Sequence, residues 1–287
     1  MIMKILEALK KAHKNLHLLS SKSLDANLLL SSVLKKSLEF LVAHENYVLN
    51  LEEKKIFFDL IKRRAKNEPI AYILKQKEFF SRKFFIDRNV LIPRPDTEIL
   101  VEQIIKKCNF LKKKSLNILE IGTGSGIIAI TLALELKDLD IKVVATDVDS
   151  KILKIAQKNA KKFLLENITF IKSNIFQRLD QYKEFFDIIV SNPPYIDKKS
   201  EKHLLSPDIK QYEPKKALFA INKGLFFFQK ISDNAKYFLK THGSLFLEIN
   251  PYKKKSIEKI IQNAKLKFID AYYDLQNLPR VIQAEKL

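Results

Sequence analysis

Apolar residues in the first part of the chain recur at helical spacing. Ile5, Leu6, Leu9, Leu16 and Leu19 mark one such stretch, and Leu24, Leu28, Val33 and Leu34 follow less regularly. Lys54 to Lys66 is a further amphipathic run that Pro69 would end. Residues 1–74 therefore predict a small all-α domain. Residues 75–95 read as a connector. Within it, the aromatic-rich segment from Glu78 to Asp87 has the character of a β-hairpin. Asp96 is placed to cap a helix from Thr97 to Lys107. From Leu116 onward the pattern becomes continuous apolar strand, turn, helix. Strands are expected at Leu116–Ile121, Lys142–Thr146, Ile168–Ile171, Phe186–Val190 and Ser244–Ile249. Helices are expected at Ile127–Leu136, Ser150–Leu165 and Lys223–Leu239. Such alternation predicts an α/β domain over residues 96–287, a parallel sheet with helices on both faces.

Composition narrows the class of protein. The single cysteine, Cys108, excludes a disulfide framework and a cysteine-rich zinc site, and points to a reducing compartment, the cytoplasm. Lys4, Glu7, Lys10 and Lys11 interrupt the N-terminal apolar pattern, so no secretory leader is expected. The most apolar stretch, Ile118 to Leu136, carries Glu120 and three glycines, which argues against a membrane span. A formal net charge of +19 raises the possibility of a polyanionic partner. Nearly all of that charge is lysine, however, whereas nucleic-acid surfaces lean on the bidentate geometry of arginine. Runs such as Lys112–Lys114 and Lys253–Lys255 are read as solvated faces. His13 and His17 lack a supporting acid, and Asp147 with Asp149 supplies too few ligands, so no metal site is expected.

Chemistry concentrates at two turns. The first is Glu120-Ile-Gly122-Thr123-Gly124-Ser125-Gly126, between a predicted strand and helix, where a doubly wound sheet binds its ligand. Glycines let the backbone approach a ligand, and the helix N-terminus that follows favours an anionic group. A dinucleotide fingerprint would need glycine at Ile127. The Gly-x-Gly-x-Gly loop after an acidic residue instead resembles the first motif of S-adenosylmethionine-dependent methyltransferases. Asp147, at the end of the next strand, is then placed to hold ribose hydroxyls. By the same fold resemblance, the turn Ser173-Asn174-Ile175 would border the adenine.

The second turn, Asn192-Pro193-Pro194-Tyr195, follows the fourth strand. Its prolines fix φ and leave carbonyl acceptors on a rigid backbone. Asn192 adds a side-chain oxygen and Tyr195 an aromatic face. Two acceptors and a flat face suit a planar NH₂ group, whose delocalised lone pair makes orientation the main catalytic problem. A glutamine amide and the exocyclic amines of adenine, guanine and cytosine all satisfy this description.

A wider resemblance selects among them. Asn89-Val-Leu-Ile-Pro-Arg-Pro-Asp-Thr-Glu98, the glycine loop and Val190-Ser-Asn-Pro-Pro-Tyr-Ile196 together resemble the HemK-type protein-glutamine methyltransferases. So do Leu24-Asp-Ala26, Glu68-Pro-Ile-Ala-Tyr72, Lys77-Glu-Phe79 and Tyr212-Glu-Pro214. The resemblance implies a Rossmann-like class I methyltransferase domain preceded by a helical substrate-docking domain. It implies transfer of a methyl group from S-adenosylmethionine to the side-chain nitrogen of the glutamine in the Gly-Gly-Gln loop of peptide chain release factors. It assigns Asn192, Pro193 and Tyr195 to catalysis, and these with Pro194 to binding the glutamine. Glu120, Gly122, Thr123, Gly124, Ser125, Gly126, Asp147, Ile175 and Asn192 would hold the cofactor, and Arg94 with Glu98 would shape the site. The expected partner is the release factor, with no stable nucleic-acid or membrane partner and a monomeric enzyme. The competing expectation is a methyltransferase for a base amino group in rRNA or DNA. The chain departs from the family at Lys75, near Ile221 and near Asn277, where glycine is usual.

Overall fold

The computed structural model describes residues 2–287 and divides the chain into two compact units, 1–76 with 206–212, and 77–205 with 213–287. The first unit contains α1 (Ile5–Asn15), α2 (Lys22–Leu34), α3 (Leu38–Ala43), α4 (Leu51–Ala65) and α5 (Ile70–Leu74). Short pairing of Met3–Lys4 with Val48–Leu49 adds a β element to the expected all-α unit. Ile5, Ala8, Leu29, Leu30, Phe57 and Ile61 form its core. Asn50 and Glu53 close a reciprocal cap on α4, bonding each other's backbone N–H at 2.8 Å. Two carboxylates are buried here, and each is paired. Arg64 donates to Asp25 at 2.7 Å, and Arg63 forks onto Glu68 at 2.7 and 2.9 Å. Breaking either pair would strand a buried charge. The short helix Pro207–Tyr212 joins this unit, where the Tyr212 hydroxyl donates to the Lys66 carbonyl at 2.8 Å.

The second unit holds α6 (Asp96–Leu111), β1 (Ser115–Ile121), α7 (Ile127–Glu135), β2 (Asp140–Asp147), α8 (Ser150–Lys162), β3 (Ile168–Lys172) and β4 (Phe186–Ser191). It continues with α9 (Phe226–Phe238), β5 (Leu239–Glu248), α10 (Lys254–Asn263), β6 (Lys267–Tyr273) and β7 (Pro279–Glu285). The sheet order is β6-β7-β5-β4-β1-β2-β3, and β7 runs antiparallel to both neighbours. The five expected strands are all present. α10 and the β6–β7 hairpin are additions. The cause is legible in β6, an edge strand that buries only Ala271 and so shows no apolar alternation. The helix expected from Thr97 begins at Asp96, with Pro95 rather than Asp96 in the capping position. Proline at a helix start sacrifices an N–H that would lack a partner anyway.

One sheet face is packed by α6, α7 and α8 with Phe79 and Phe84 of the hairpin, and the other by α9 and α10. Asn159, fully buried on α8, joins three segments. Its oxygen accepts from Phe85 N at 2.8 Å, and its amide nitrogen donates to the carbonyls of Phe85 (2.9 Å) and Ser125 (2.8 Å). The lysine runs are not simply solvated. Lys113 pairs with buried Asp187 at 2.6 Å, and largely buried Lys253 donates to the Tyr195 carbonyl (2.5 Å) and to Glu201 (2.7 Å). Lys75, Asn222, Lys223 and Asn277 all lie in the left-handed region, with φ between 54° and 59°. Lys75 and the residues at and beside the other expected departures thus adopt a backbone conformation that favours glycine. Among the described residues, no helix is long and apolar enough to cross a membrane.

Candidate active site

The C-terminal ends of β1, β2, β3 and β4 open onto a cavity of about 440 Å³ within the second unit. Parallel pairing of Ile121 with Ser191 brings the glycine loop beside the Asn-Pro-Pro-Tyr turn. Ser191 tightens this junction, its hydroxyl donating to the Ile121 carbonyl at 2.8 Å. Glu120, Gly122 to Ser125, Asp147, Ile175, Asn192, Pro193 and Pro194 all line the cavity. Gly126 lies behind it. Its φ of +83° and the Ala156 methyl, 3.1 Å from where a Cβ would stand, leave no room for a side chain as α7 passes α8.

Glu120 is fully buried, and Oε2 accepts from the Thr123 hydroxyl (2.7 Å) and Ala129 N (3.0 Å). Burial pushes its carboxyl up to about 8. Gly122 and Thr123 both donate their N–H to the Thr146 carbonyl, at 2.9 and 2.8 Å, which fastens the loop to β2. Asp147 accepts from Gly124 N at 3.1 Å and Asp149 N at 3.3 Å, and burial raises its carboxyl. At Gly122 and Gly124 the space where a Cβ would point is open, and both have positive φ. An open glycine cradle beside a carboxylate, at the switch point between β1 and β4, fits a nucleoside with ribose hydroxyls.

Asn192 donates from Nδ2 to the Thr97 hydroxyl oxygen at 3.2 Å. Thr97 in turn donates to buried Glu248 at 2.7 Å. Tyr195 is placed otherwise than a cavity wall. It packs with the apolar cluster on the α9 and α10 face, and burial raises its hydroxyl. Behind it Gly224 approaches so closely that a Cβ would stand 2.2 Å from the Tyr195 carbonyl oxygen. The pairing of Ile196–Asp197 with Phe219–Ala220 braces the chain just past the turn. Arg94 lines the cavity and pairs with buried Glu213 at 2.6 Å, whereas Glu98 turns to the hairpin and accepts from Phe80 N. Sequence reasoning passed over Glu248 and Asn159. Glu120 is marked by the glycine loop that follows it; Glu248 has no such loop after it, and the available signal is its place at the end of the apolar run Leu245-Phe-Leu247. Asn159 carries no such signal within a lysine-rich helix.

This fold and site define a class I methyltransferase. A family model described as a methyltransferase domain matches residues 112–267, and one described as the PrmC N-terminal domain matches residues 7–74. A methyltransferase of Pyrococcus furiosus has the same fold, with a TM-score of 0.52 and 22% identity over 78% of this chain and 98% of that one. The release factor glutamine methyltransferase of Buchnera aphidicola is 36% identical over 284 residues, 99% of each chain. The chain therefore belongs to the release factor glutamine methyltransferase family. It is also 42% identical over 277 residues to a bifunctional methyltransferase of Rickettsia prowazekii, 91% of this chain and 52% of that protein. The chain spans about half the length of such Rickettsia relatives.

Proposed function

We infer that the protein methylates the side-chain amide nitrogen of the glutamine in the Gly-Gly-Gln loop of peptide chain release factors, as a monomer in the cytoplasm. The observation that carries this reading is the single cavity shared by the glycine loop, Asp147 and the Asn192-Pro193-Pro194 turn. S-adenosylmethionine, when bound, supplies an electrophilic sulfonium methyl. Glu120 holds the loop through Thr123 and Ala129, while Gly122 and Gly124 leave room for the ligand against the backbone. Asp147 would accept from the ribose hydroxyls of the cofactor, and Asn174 and Ile175, which line the same cavity, would border its base.

Asn192 and the Pro193 carbonyl each accept one N–H of the glutamine amide. Holding both hydrogens turns the nitrogen lone pair toward the methyl group and stabilises positive charge as it develops on nitrogen. Bound there, S-adenosylmethionine would supply the methyl group to that nitrogen and leave as the neutral thioether, while Asn192 and the Pro193 carbonyl hold the acceptor amide in line. The methylated amide cation then loses a proton, an acidic one, so no strong general base is required of the chain. The helical unit docks the protein substrate, in line with the family domain it matches. Support for a glutamine acceptor comes from family membership over nearly the whole chain.

The test is mass spectrometry of an unmethylated release factor incubated with the protein and S-adenosylmethionine. A gain of one methylene on the Gly-Gly-Gln peptide is expected. No gain with a preparation that binds S-adenosylhomocysteine would overturn the assignment.

A further inference from the structure

We propose that Thr97 and Glu248 are positioning residues that set which arm of the Asn192 amide faces the acceptor. This rests on the functional reading above and deepens it. The acceptor amide offers two N–H donors, so Asn192 is useful only with its oxygen toward them. With its NH₂ group turned there, donor would face donor. Which way an asparagine amide lies is decided by its hydrogen-bond partners.

Here the partners form a directional chain. Glu248 ends β5, and the pairing of Leu247 with Ser191 places it beside the start of the catalytic turn. It is buried, and its Oε2 takes the one hydroxyl proton of Thr97 at 2.7 Å. The Thr97 oxygen, having given that proton away, acts as an acceptor toward Asn192. The atom it receives is the amide nitrogen, at 3.2 Å. The nearby Asn192 amide also favours the ionised form of Glu248, a smaller effect than that of Thr97. An ionised Glu248 thus keeps the nitrogen on the Thr97 side and commits the oxygen to the other.

Protonating Glu248 removes that direction. A carboxylic acid can donate to Thr97, whose own proton then turns toward Asn192 and favours the flipped amide. Burial lifts the Glu248 carboxyl to about 7, so the switch falls in a working pH range. The groups that face it are Asp96 on α6, Arg280 on β7 and Tyr195 in the turn. Asp96 pushes the carboxyl up and Arg280 pulls it down. Arg280 is itself held by Asp274 at 2.7 Å and Asp96 at 3.2 Å.

The experiment compares the unaltered protein with Thr97→Val, Thr97→Ser and Glu248→Gln. Each is assayed for methyl transfer to an unmethylated release factor from pH 5.5 to 8.5, and for S-adenosylhomocysteine binding by calorimetry. Thr97→Val should lower kcat by about ten- to a hundredfold, the scale of a misoriented reacting group, with cofactor affinity held within about threefold. Thr97→Ser should restore kcat to within about threefold, because it keeps the hydroxyl. The unaltered protein should lose kcat as pH falls through the Glu248 range, and Glu248→Gln should lack that limb. A readout independent of turnover is the Asn192 side-chain NH₂ resonance in protein carrying ¹⁵N-asparagine, identified by its loss in Asn192→Ala. It should shift with pH in the unaltered protein and stay fixed in Glu248→Gln. Thr97→Val with kcat within twofold and the same pH profile would overturn the proposal, as would an Asn192 resonance indifferent to Glu248→Gln. Absence of transfer by the unaltered protein would instead refute the functional reading. Should Thr97→Val fail to fold, the resonance and pH limb of Glu248→Gln decide the matter.

Discussion

Replacing Asn159 by leucine should destabilise the methyltransferase unit more than any loss of helix propensity could explain. Leucine is the better helix former, so α8 itself is not weakened. The loss falls on three backbone groups. The Ser125 carbonyl bond is buried, and leaving that oxygen without a partner costs about 1–3 kcal/mol. The N–H and carbonyl of Phe85 are partly buried and can recover some hydration, at about 1 kcal/mol each. Together the change is roughly 3–5 kcal/mol, close to the upper end of ordinary single substitutions. The protein has no tryptophan, so the assay is urea unfolding followed by circular dichroism at 222 nm. With a slope of about 2–3 kcal/mol per molar urea, the midpoint of the affected unit should fall by roughly 1–2.5 M. Affinity for S-adenosylhomocysteine should fall as well, because Ser125 lies in the cofactor loop. A midpoint lowered by less than about 0.3 M, well under what even one lost hydrogen bond implies, would refute the hydrogen-bond accounting.

Two further expectations follow from the same geometry. Gly224→Ala puts a methyl group against the Tyr195 carbonyl and the Lys253 ammonium at a backbone φ of +79°, so the catalytic turn must shift. Steady-state kinetics should show kcat down by about a hundredfold per ångström of displacement, with cofactor affinity little changed, and an unaltered kcat would contradict the bracing role. Glu120 supplies a pH prediction. Its folded-state value, raised to about 8, lies above the ordinary carboxylate value it regains on unfolding. The folded protein therefore binds the extra proton, and stability falls as pH rises from about 4.5 through 8. Melting of the ligand-free protein across pH 5 to 9 should show this decline, and Glu120→Gln should flatten it. An identical slope in the variant would remove Glu120 as the source.

Much of this protein was legible in its sequence because the relevant signals are local. Continuous apolar strands separated by amphipathic helices specify a covered parallel sheet, and a chain with five glycines that sets three in one strand-to-helix turn marks its ligand loop. The Asn-Pro-Pro-Tyr turn declares its chemistry through proline geometry and a side-chain acceptor. What only the tertiary structure decided concerns partners distant in the chain. Thr97 meets Asn192 and Glu248 because α6 packs beside the ends of β4 and β5. Lys253 braces Tyr195 across 58 positions, where its lysine run suggested only a solvated face. Tyr195, read as an aromatic face of the site, packs against the apolar cluster of the α9 and α10 face, with Glu248, Arg94 and Arg280 around its hydroxyl. Edge strand β6 escaped notice because a strand with one buried residue leaves no alternation to read. Local periodicity reports which face of an element is apolar. Which polar groups find each other is settled by pairing register and by the requirement that every buried donor and acceptor be satisfied.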